Sequence, residues 1–289
     1  MRIIVCVKQI CQTYARSGMD PERYFLNPED AIVRVNPYDE VALELALRVK
    51  DVQNGGEIIA VTLGPIIAEA ELRRCLAMGA DTLYQVEIEE GVDPWGKSNI
   101  LARVVKELGA DIVLCGKESL DKQNGQVGAF MAHHLGMPFV SGIVDLSIPN
   151  RETARVHRPA GRGVREVIEC PLPAVFSVDM GMHEPRLPTY QDKIRARSMR
   201  IQRLAHFEEM PANKTISTRL FPPRPRPKQM SAPDSRQEAF YRIEQLLAGS
   251  RIEKKGIVLR GSPGSQAEGI VAFLEEHGFL KSQKAQEEE

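Results

Sequence analysis

A glycine-containing segment, residues 116–128, is the first part of the chain whose residue types suit ligand binding. It reads GKESLDKQNGQVG and lies between an apolar run and a segment of helical periodicity. In an open α/β sheet, ligands bind beyond the carboxyl ends of the strands, where a helix N-terminus offers unpaired N–H groups to a phosphate. Gly125 and Gly128 allow the backbone to approach a phosphate closely, and Lys117 or Lys122 adds charge. The segment matches neither Walker A nor G-x-G-x-x-G, so a loop with a helix cap remains the alternative.

Residues 36–40, NPYDE, stand just ahead of the first long predicted helix. Asp39 is a good N-cap and Pro37 stiffens the entry to the helix, so capping alone is one interpretation of the segment. In a doubly wound fold, however, this loop lies on the same sheet edge as residues 116–128. Cys6 at the end of the first predicted strand and the turn at residues 63–65 share that edge. Four loops are therefore predicted to converge on one nucleotide.

A third candidate begins at residues 183–186, HEPR, and is rich in proline and basic side chains. A charge run is usually a solvated face, and that interpretation stays open. Long, exposed segments stiffened by proline also act as docking loops, in which case Tyr190 is the natural anchor. The basic residues that follow are Lys193, Arg195, Arg197 and Arg200.

Arrangements typical of catalysis are missing from the sequence. It contains no H-x-x-x-H pair and no G-x-S-x-G elbow, and His133 and His134 occupy consecutive helix positions that cannot face one ligand. The five cysteines lack C-x-x-C spacing, which argues against a disulfide framework and against a zinc or iron–sulfur site. A binding or carrier role is therefore favoured over a hydrolase or transferase.

The composition indicates a globular protein without a general affinity for polyanions. The 289 residues are 43% hydrophobic, and 38 Lys and Arg nearly cancel 39 Asp and Glu, so no binding to nucleic acid is expected. The N-terminus MRIIVCVKQI lacks the long apolar core and small-residue cleavage site of a signal peptide, and no run of 18 apolar residues occurs. We expect a cytoplasmic protein with no direct membrane insertion.

Short apolar runs alternate with segments of helical period, a pattern typical of a parallel sheet covered by helices. The predicted strands are residues 3–7, 58–63, 82–86 and 111–115, and the predicted helices are residues 39–52, 68–78, 98–108 and 126–135. Further short β segments at 139–146, 154–158, 164–169 and 174–179 favour an antiparallel extension of the sheet. The predicted fold class is α/β, a doubly wound, mostly parallel sheet of the adenine-nucleotide-binding type.

The organisation beyond the sheet is predicted from a change in composition. Residues 221–233, FPPRPRPKQMSAP, favour an extended linker. We predict an α/β domain at 1–205 that includes the docking loop at 183–200, a Pro-rich linker at 206–235, and a C-terminal helical extension at 236–289. Within the extension we expect helices at 236–247 and 267–277, a short strand at 256–259 and a frayed tail.

Taken in order, these segments resemble the beta subunit of the electron transfer flavoprotein family. The resemblance covers roughly residues 1–205, and its combination of motifs is specific although no single motif is. The matching segments are 5–9 (VCVKQ), 36–44 (NPYDEVALE), 64–65 (GP), 76–81 (LAMGAD), 116–117 with Asp121, 126–128 (QVG), 172–175 (LPAV), 184–186 (EPR) and 193–197 (KIRAR).

The resemblance implies a subunit that pairs with an FAD-binding alpha subunit and accepts electrons from dehydrogenases for a downstream acceptor. In the family, non-bifurcating members hold AMP in the beta subunit, whereas electron-bifurcating members hold a second FAD there that exchanges hydride with NADH. The motifs of this sequence favour AMP. The implied nucleotide-binding residues are Cys6, Asn36, Pro37, Tyr38, Asp39, Leu63, Gly116, Asp121, Lys122, Gln123, Asn124, Gly125, Gln126, Val127 and Gly128. The implied partner-docking residues are Glu184, Pro185, Arg186, Tyr190, Lys193, Arg195 and Arg197.

Departures from the family pattern keep other functions open. His183 stands where the family has asparagine, and Tyr190 stands where a leucine usually anchors the partner. Arg158, Arg162 and Arg165 are more numerous than the family pattern predicts, and they face either the partner's flavin or solvent. A stand-alone ATP-binding enzyme or sensor of similar fold, and an assembly subunit with an empty pocket, are the alternatives from other functional classes.

Overall fold

The computed structural model describes residues 1–13, 31–65, 67–88, 91–204, 212–215, 238–241, 243 and 259–276. The chain divides into two compact units, Met1–Pro223 and Arg224–Glu289, and all predicted site residues lie in the first. The division predicted from the sequence, with its linker at 206–235, stays a prediction.

The β-structure of the first unit consists of one large sheet and two small ones. In chain order the strands are β1 (Arg2–Val7), β2 (Gln9–Thr13), β3 (Ala31–Val35), β4 (Glu57–Leu63), β5 (Thr82–Val86), β6 (Ile112–Gly116), β7 (Phe139–Ile143), β8 (Asp145–Asn150), β9 (Thr153–Gly161), β10 (Val164–Pro171), β11 (Ala174–Val178) and β12 (Gln202–Leu204). Seven of them form a parallel sheet in the order β12-β5-β4-β1-β6-β11-β7. Strands β10-β9-β8 and strands β2-β3 form separate antiparallel sheets.

Five helices accompany these strands in the described part of the first unit, and a further helix is described in the second. They are α1 (Pro37–Val52), α2 (Glu69–Met78), α3 (Pro94–Leu108), α4 (Val127–Leu135), α5 (Tyr190–Ser198) and, in the second unit, α6 (Pro263–Glu276). Proline opens α1 and α3, where its fixed φ suits the first helical position. Gly136 ends α4 in the left-handed conformation that glycine adopts at little cost.

Helices cover both faces of the large sheet, and each face has its own apolar cluster. Val5 of β1 packs in the cluster that contains Leu43 of α1. The next residue towards the N-terminus, Ile4, packs in the opposite cluster with Ile100 of α3 and Met131 of α4. Because successive side chains of a strand point to opposite faces, an apolar run of this kind is buried from both sides.

The predicted fold class is confirmed, and the structure refines the position of the antiparallel strands. The sequence favoured an extension of the main sheet from residues 139–179, but β8, β9 and β10 form a sheet of their own. Strands β7 and β11 join the large sheet in parallel instead. Every residue of β11 is buried, as expected for a strand covered on both faces, whereas β10 is largely exposed.

Predictions for the C-terminal part are only partly covered by the described residues. The last predicted helix, 267–277, is present as α6 and begins four residues earlier, at Pro263. The helix predicted at 236–247 and the strand predicted at 256–259 lie mostly outside the described residues, and the tail lies wholly outside them. Within the part of the chain that the structure describes, no helix is long and apolar enough to cross a membrane.

Candidate functional site

The strand order creates a crevice at the carboxyl edge of the large sheet. From β1 the chain continues through α1 to β4 and then β5 on one side, and it returns through α3 to β6 on the other side of β1. This reversal between β1 and β6 is the topological switch point at which open α/β sheets bind ligands. The ends of β4, β1 and β6 are neighbours there, so the structure brings together the loops that the sequence placed at one edge.

Asn36 links the start of α1 to the loop that follows β6. Its side-chain nitrogen donates to the carbonyl of Glu118 at 2.9 Å, and its side-chain oxygen accepts from the amide of Leu120 at 3.3 Å. Asn36 is the N-cap residue of α1, but its side chain makes no capping hydrogen bond to that helix. The Asn36 amide group therefore binds the loop, and its burial strengthens these two hydrogen bonds.

Asp39 is not the N-cap that the sequence predicted, because Pro37 starts α1 two residues earlier. Its buried carboxylate accepts from the amide of Lys8 at 2.8 Å and from the amide of Gly116 at 2.9 Å. It thus joins the ends of β1 and β6 across the crevice. Burial raises the pKa of Asp39 to about 7, although the two amides and Asn36 favour the charged form.

Gly116 ends β6 at the point of closest approach to α1. A Cβ atom at this position would overlap the Asp39 carboxylate and lie 2.6 Å from the Cβ of Tyr38. The absence of a side chain is therefore needed for the hydrogen bond between Asp39 and the Gly116 amide. This requirement is steric, and it differs from the conformational freedom that glycine supplies in turns.

Further contacts hold the first half of the loop. The Lys8 ammonium lies 2.6 Å from both carboxylate oxygens of Asp121 and 3.1 Å from the hydroxyl of Ser119. The Tyr38 hydroxyl donates to the Glu118 carboxylate at 3.2 Å. Burial and then the charge of Glu118 raise the pKa of Tyr38, so its hydroxyl stays protonated as a donor at neutral pH.

The second half of the loop is exposed and faces the solvent side of the crevice. Gln123 and Gly125 adopt positive φ angles of 50° and 61°, which turn the backbone sharply before α4. The N-cap residue Gln126 makes no side-chain hydrogen bond to the first turn of α4, so the amides there keep their capacity to donate. The exposed predicted binding residues are Asp121, Lys122, Gln123, Asn124, Gly125 and Gln126.

Three of the predicted binding residues take part in packing, and their binding role stays a prediction. A Cβ on Gly128 would lie 2.8 Å from the sulfur of Cys115, so this glycine lets α4 approach the sheet. The Cys6 thiol is buried beside the sulfur of Met131 at 4.0 Å, and burial followed by the charge of Asp39 raises its pKa to about 12. Leu63 packs partly buried against the same apolar cluster.

Sequence reasoning missed Lys8 and Lys97, which add positive charge at this edge. Lys97 lies in α3, where burial, then the charges of Lys122 and Lys8, lower its pKa. The sequence around Lys97 shows only a helical pattern and does not indicate a role at the site, because only the fold brings α3 beside the loop after β6. In the described part of the chain, no group of three side chains is arranged to hold a metal ion.

Asp93 caps α3 and also holds a returning segment of the chain. One carboxylate oxygen accepts from the amide of Gly96 at 2.7 Å, and the other accepts from the amides of Lys214 and Thr215 at 2.7 and 2.9 Å. The Asn213 side chain accepts from the Asp93 amide at 2.9 Å and donates to the Gly91 carbonyl at 3.1 Å. Burial alone would raise the pKa of Asp93, but these amide donors hold it below its usual range.

Replacing Asp93 with alanine is expected to lower the free energy of unfolding by about 1–2 kcal/mol, since it removes the cap of α3. It should also speed amide exchange at residues 212–215, because their two amides lose their acceptor. Hydrogen exchange followed by mass spectrometry checks both effects. Asp93→Asn is the control, since asparagine still caps the helix, and equal exchange at 212–215 in the alanine variant and the wild type would contradict the expectation.

The predicted docking segment contains a helix that the sequence analysis described as a loop. Helix α5 begins after Thr189, whose hydroxyl accepts from the Asp192 amide while the Asp192 carboxylate accepts from the Thr189 amide. This capping box, T-x-x-D, was the available signal. Leu187, Tyr190 and Ile194 are exposed by 83%, 77% and 49%, so an apolar stripe faces outward. The basic side chains on the same segment are also exposed: Lys193, Arg195, Arg197 and Arg200.

Comparison with known proteins agrees with this arrangement. A family model described as the electron transfer flavoprotein domain matches residues 29–208. The beta subunit of the electron transfer flavoprotein of Megasphaera elsdenii is 32% identical over 213 residues, covering 71% of this chain and 78% of that protein. The chain is a beta-type member of the electron transfer flavoprotein family.

Other members of the electron transfer flavoprotein family show comparable similarity. The caffeyl-CoA reductase–Etf complex subunit CarD of Acetobacterium woodii is 39% identical over 189 residues, covering 64% of this chain and 71% of that protein. Protein FixA of Azotobacter vinelandii is 31% identical over 247 residues, covering 79% of this chain and 86% of that protein. The names of these relatives accord with electron transfer as the role of the family.

Proposed function

We propose that this beta-type subunit pairs with an FAD-binding alpha subunit in a cytoplasmic heterodimer that carries electrons from dehydrogenases to a downstream acceptor. In this proposal the chain binds AMP in the crevice between β1 and β6 and docks dehydrogenases through the segment at 183–200. The chain itself supplies binding and orientation, because the redox chemistry belongs to the flavin. The lack of a catalytic constellation in its sequence accords with that division of labour.

The nucleotide proposal depends on how the loop after β6 is held. Its first half is held by Asn36, just before α1, and by Lys8, just after β1, whose ammonium pairs with Asp121; residues 122–126 are left exposed beside the start of α4. A phosphate at this position receives donors from the first turn of α4 and charge from Lys122 and Lys97. The charge of these groups suits the phosphate of an adenine nucleotide.

We propose AMP rather than FAD as the ligand of the crevice because of the motifs in the sequence. The two possibilities differ in the number of AMP and FAD molecules bound per heterodimer. We expect the purified, denatured heterodimer to release one AMP and one FAD, as measured by mass spectrometry and flavin absorbance. If it releases two FAD and no AMP, the crevice holds the second flavin of a bifurcating subunit that reacts with NADH. A colourless homodimer that hydrolyses ATP would support the stand-alone enzyme instead, and protein without any adenine nucleotide would support an assembly subunit.

The outward face of α5 supports the docking proposal. Tyr190 and Ile194 of α5, with Leu187 just before it, expose apolar surface, and Lys193 and Arg197 lie on the same helix. Large exposed apolar side chains among charges are typical of partner contacts. The complementary surface on a dehydrogenase is an apolar pocket with acidic side chains at its rim. Tyr190, with the largest side chain of the three, is proposed as the anchor.

A further inference from the structure

The segment that carries α5 is fastened to α1 at its N-terminal side by a buried carboxylate. Glu44 of α1 accepts from the Arg186 backbone amide at 3.0 Å, from the Arg186 Nε at 2.8 Å and from an Arg186 terminal nitrogen at 3.1 Å. The side chain of Glu44 is only 3% exposed. Burial alone would raise the pKa of Glu44, but the bonds from Arg186 lower it, so the carboxylate is charged at neutral pH. Asp51 also accepts from Arg186, at 2.9 Å.

The C-terminal side of α5 is fastened to α2 by an arginine. Arg73 donates from one terminal nitrogen to the carbonyl of Ala196 at 2.6 Å and to the carbonyl of Met199 at 2.7 Å. Its Nε is bound to Glu69 at 2.7 Å, which fixes the direction of the guanidinium group. The last carbonyls of a helix have no partner within the helix, and a cation there also stabilises the helix dipole.

Helix α5 has little of its own to keep it folded. It is nine residues long, and an isolated helix of that length is marginal in water. Ala196 is its one buried residue, so α5 has no broad apolar face to pack against the core. The capping box and the attachments through Arg186 and Arg73 are therefore the main contacts that order it.

We propose that Arg73, together with the Glu44–Arg186 pair, keeps α5 folded before a partner arrives, so that these residues position the docking face. The inference rests on the docking role proposed above. A segment that is ordered in advance loses less conformational freedom when it binds, so its affinity is higher than that of a flexible loop with the same side chains. Arg73 acts through the backbone carbonyls at the C-terminal end of α5 rather than through the exposed apolar side chains.

The test compares Arg73→Met with Arg74→Met in the purified heterodimer. Arg74 is the next residue of α2 and loses an ion pair of its own, with Glu40, when it is replaced, so it controls for the general effect of removing an arginine. Amide exchange at residues 190–199 should become at least about tenfold faster in Arg73→Met, because tenfold is the effect of losing a single charge-assisted hydrogen bond and this variant loses two; it should change less than about twofold in Arg74→Met. Arg73→Lys, which keeps a cation near the two carbonyls, should restore part of the protection. Unchanged exchange in Arg73→Met would overturn the proposal.

The second readout is the KM for the heterodimer in electron transfer from a flavin-dependent dehydrogenase. The dehydrogenase is chosen from a panel as the one that reduces the wild-type heterodimer with the lowest KM. Arg73→Met should raise this KM about fivefold or more and leave kcat within about twofold, because the chemistry is untouched once the complex forms. Faster exchange with an unchanged KM would overturn the positioning role.

A further variant, Tyr190→Ala, separates this inference from the docking proposal. Tyr190→Ala should raise the KM with normal exchange at residues 190–199. If it leaves the KM unchanged, or if no dehydrogenase reduces the wild type, the docking role itself fails, and the positioning role fails with it. Faster exchange in Arg73→Met would then still show that α5 is held by Arg73.

Discussion

Replacing Gly116 with alanine is expected to lower the free energy of unfolding by about 3 kcal/mol and to release the bound nucleotide. The new methyl group would overlap the Asp39 carboxylate and press against the Cβ of Tyr38, which is close to the backbone and cannot swing away. Displacement of Asp39 would also leave the amides of Lys8 and Gly116 without their acceptor. Urea unfolding of the purified protein and the nucleotide content after gel filtration measure the two effects.

Gly264→Ala is the matched control for this substitution. A Cβ at Gly264 meets no heavy atom within 4 Å, and the residue lies in the first turn of α6. Alanine there should leave the stability unchanged or raise it by up to about 1 kcal/mol, because glycine costs conformational entropy in a helix. A loss of less than about 1 kcal/mol in Gly116→Ala would show that α1 moves away easily and that the crevice is not closely packed.

Replacing Asp39 with asparagine is expected to lower the free energy of unfolding by about 2 kcal/mol at pH 6, because the amide nitrogen cannot accept from a backbone N–H. The two side-chain oxygens of Asp39 accept from the amides of Lys8 and Gly116, and a protonated carboxyl, the main form at pH 6, keeps acceptor capacity on both oxygens, whereas asparagine has one acceptor oxygen. The ends of β1 and β6 should separate, and the protein should bind the nucleotide less tightly. Urea unfolding gives the first quantity, and titration with AMP gives the second.

The same variant should also change the dependence of stability on pH. Burial raises the pKa of Asp39 from its ordinary value of 3.8 to about 7 in the folded protein. The folded state therefore binds more protons than the unfolded state in this interval, so the contribution of Asp39 is complete below it and is lost as the pH rises through about 7. The stability difference between the wild type and Asp39→Asn should become smaller between pH 5 and pH 8. A difference that grows over this range would mean that the amide donors outweigh burial and lower the pKa.

The location of the crevice at the sheet edge could be predicted from the sequence because it depends on local patterns. Apolar runs such as 58–63 and 111–115 are long enough for strands that are buried on both faces, and the helices between them require parallel pairing. In a sheet of that kind every loop after a strand lies at the same edge. The residues after β1, β4 and β6 were therefore placed together correctly before any contact was known.

The roles of individual side chains at that edge were harder to predict. Asp39, Gly116 and Gly128 were predicted to contact the ligand, and the structure shows that they also act within the protein: Asp39 bridges two strands, and each glycine leaves room for a neighbouring side chain. A sequence gives the type of a residue but not the direction of its side chain, and at a crowded edge a carboxylate can turn to a ligand or to an amide. Binding by the exposed residues 121–126 stays a prediction.

By itself, the sequence determined the α/β class, the edge that carries the crevice and the family of electron transfer flavoproteins, since periodicity and motif order are local properties of the chain. Only the tertiary structure decided how the crevice and helix α5 are held. Lys8 meets Asp121, Glu44 meets Arg186, and Arg73 meets the end of α5 across separations of more than a hundred residues. Such contacts produce no periodic pattern in the sequence, because each depends on where the folded backbone brings two distant segments together.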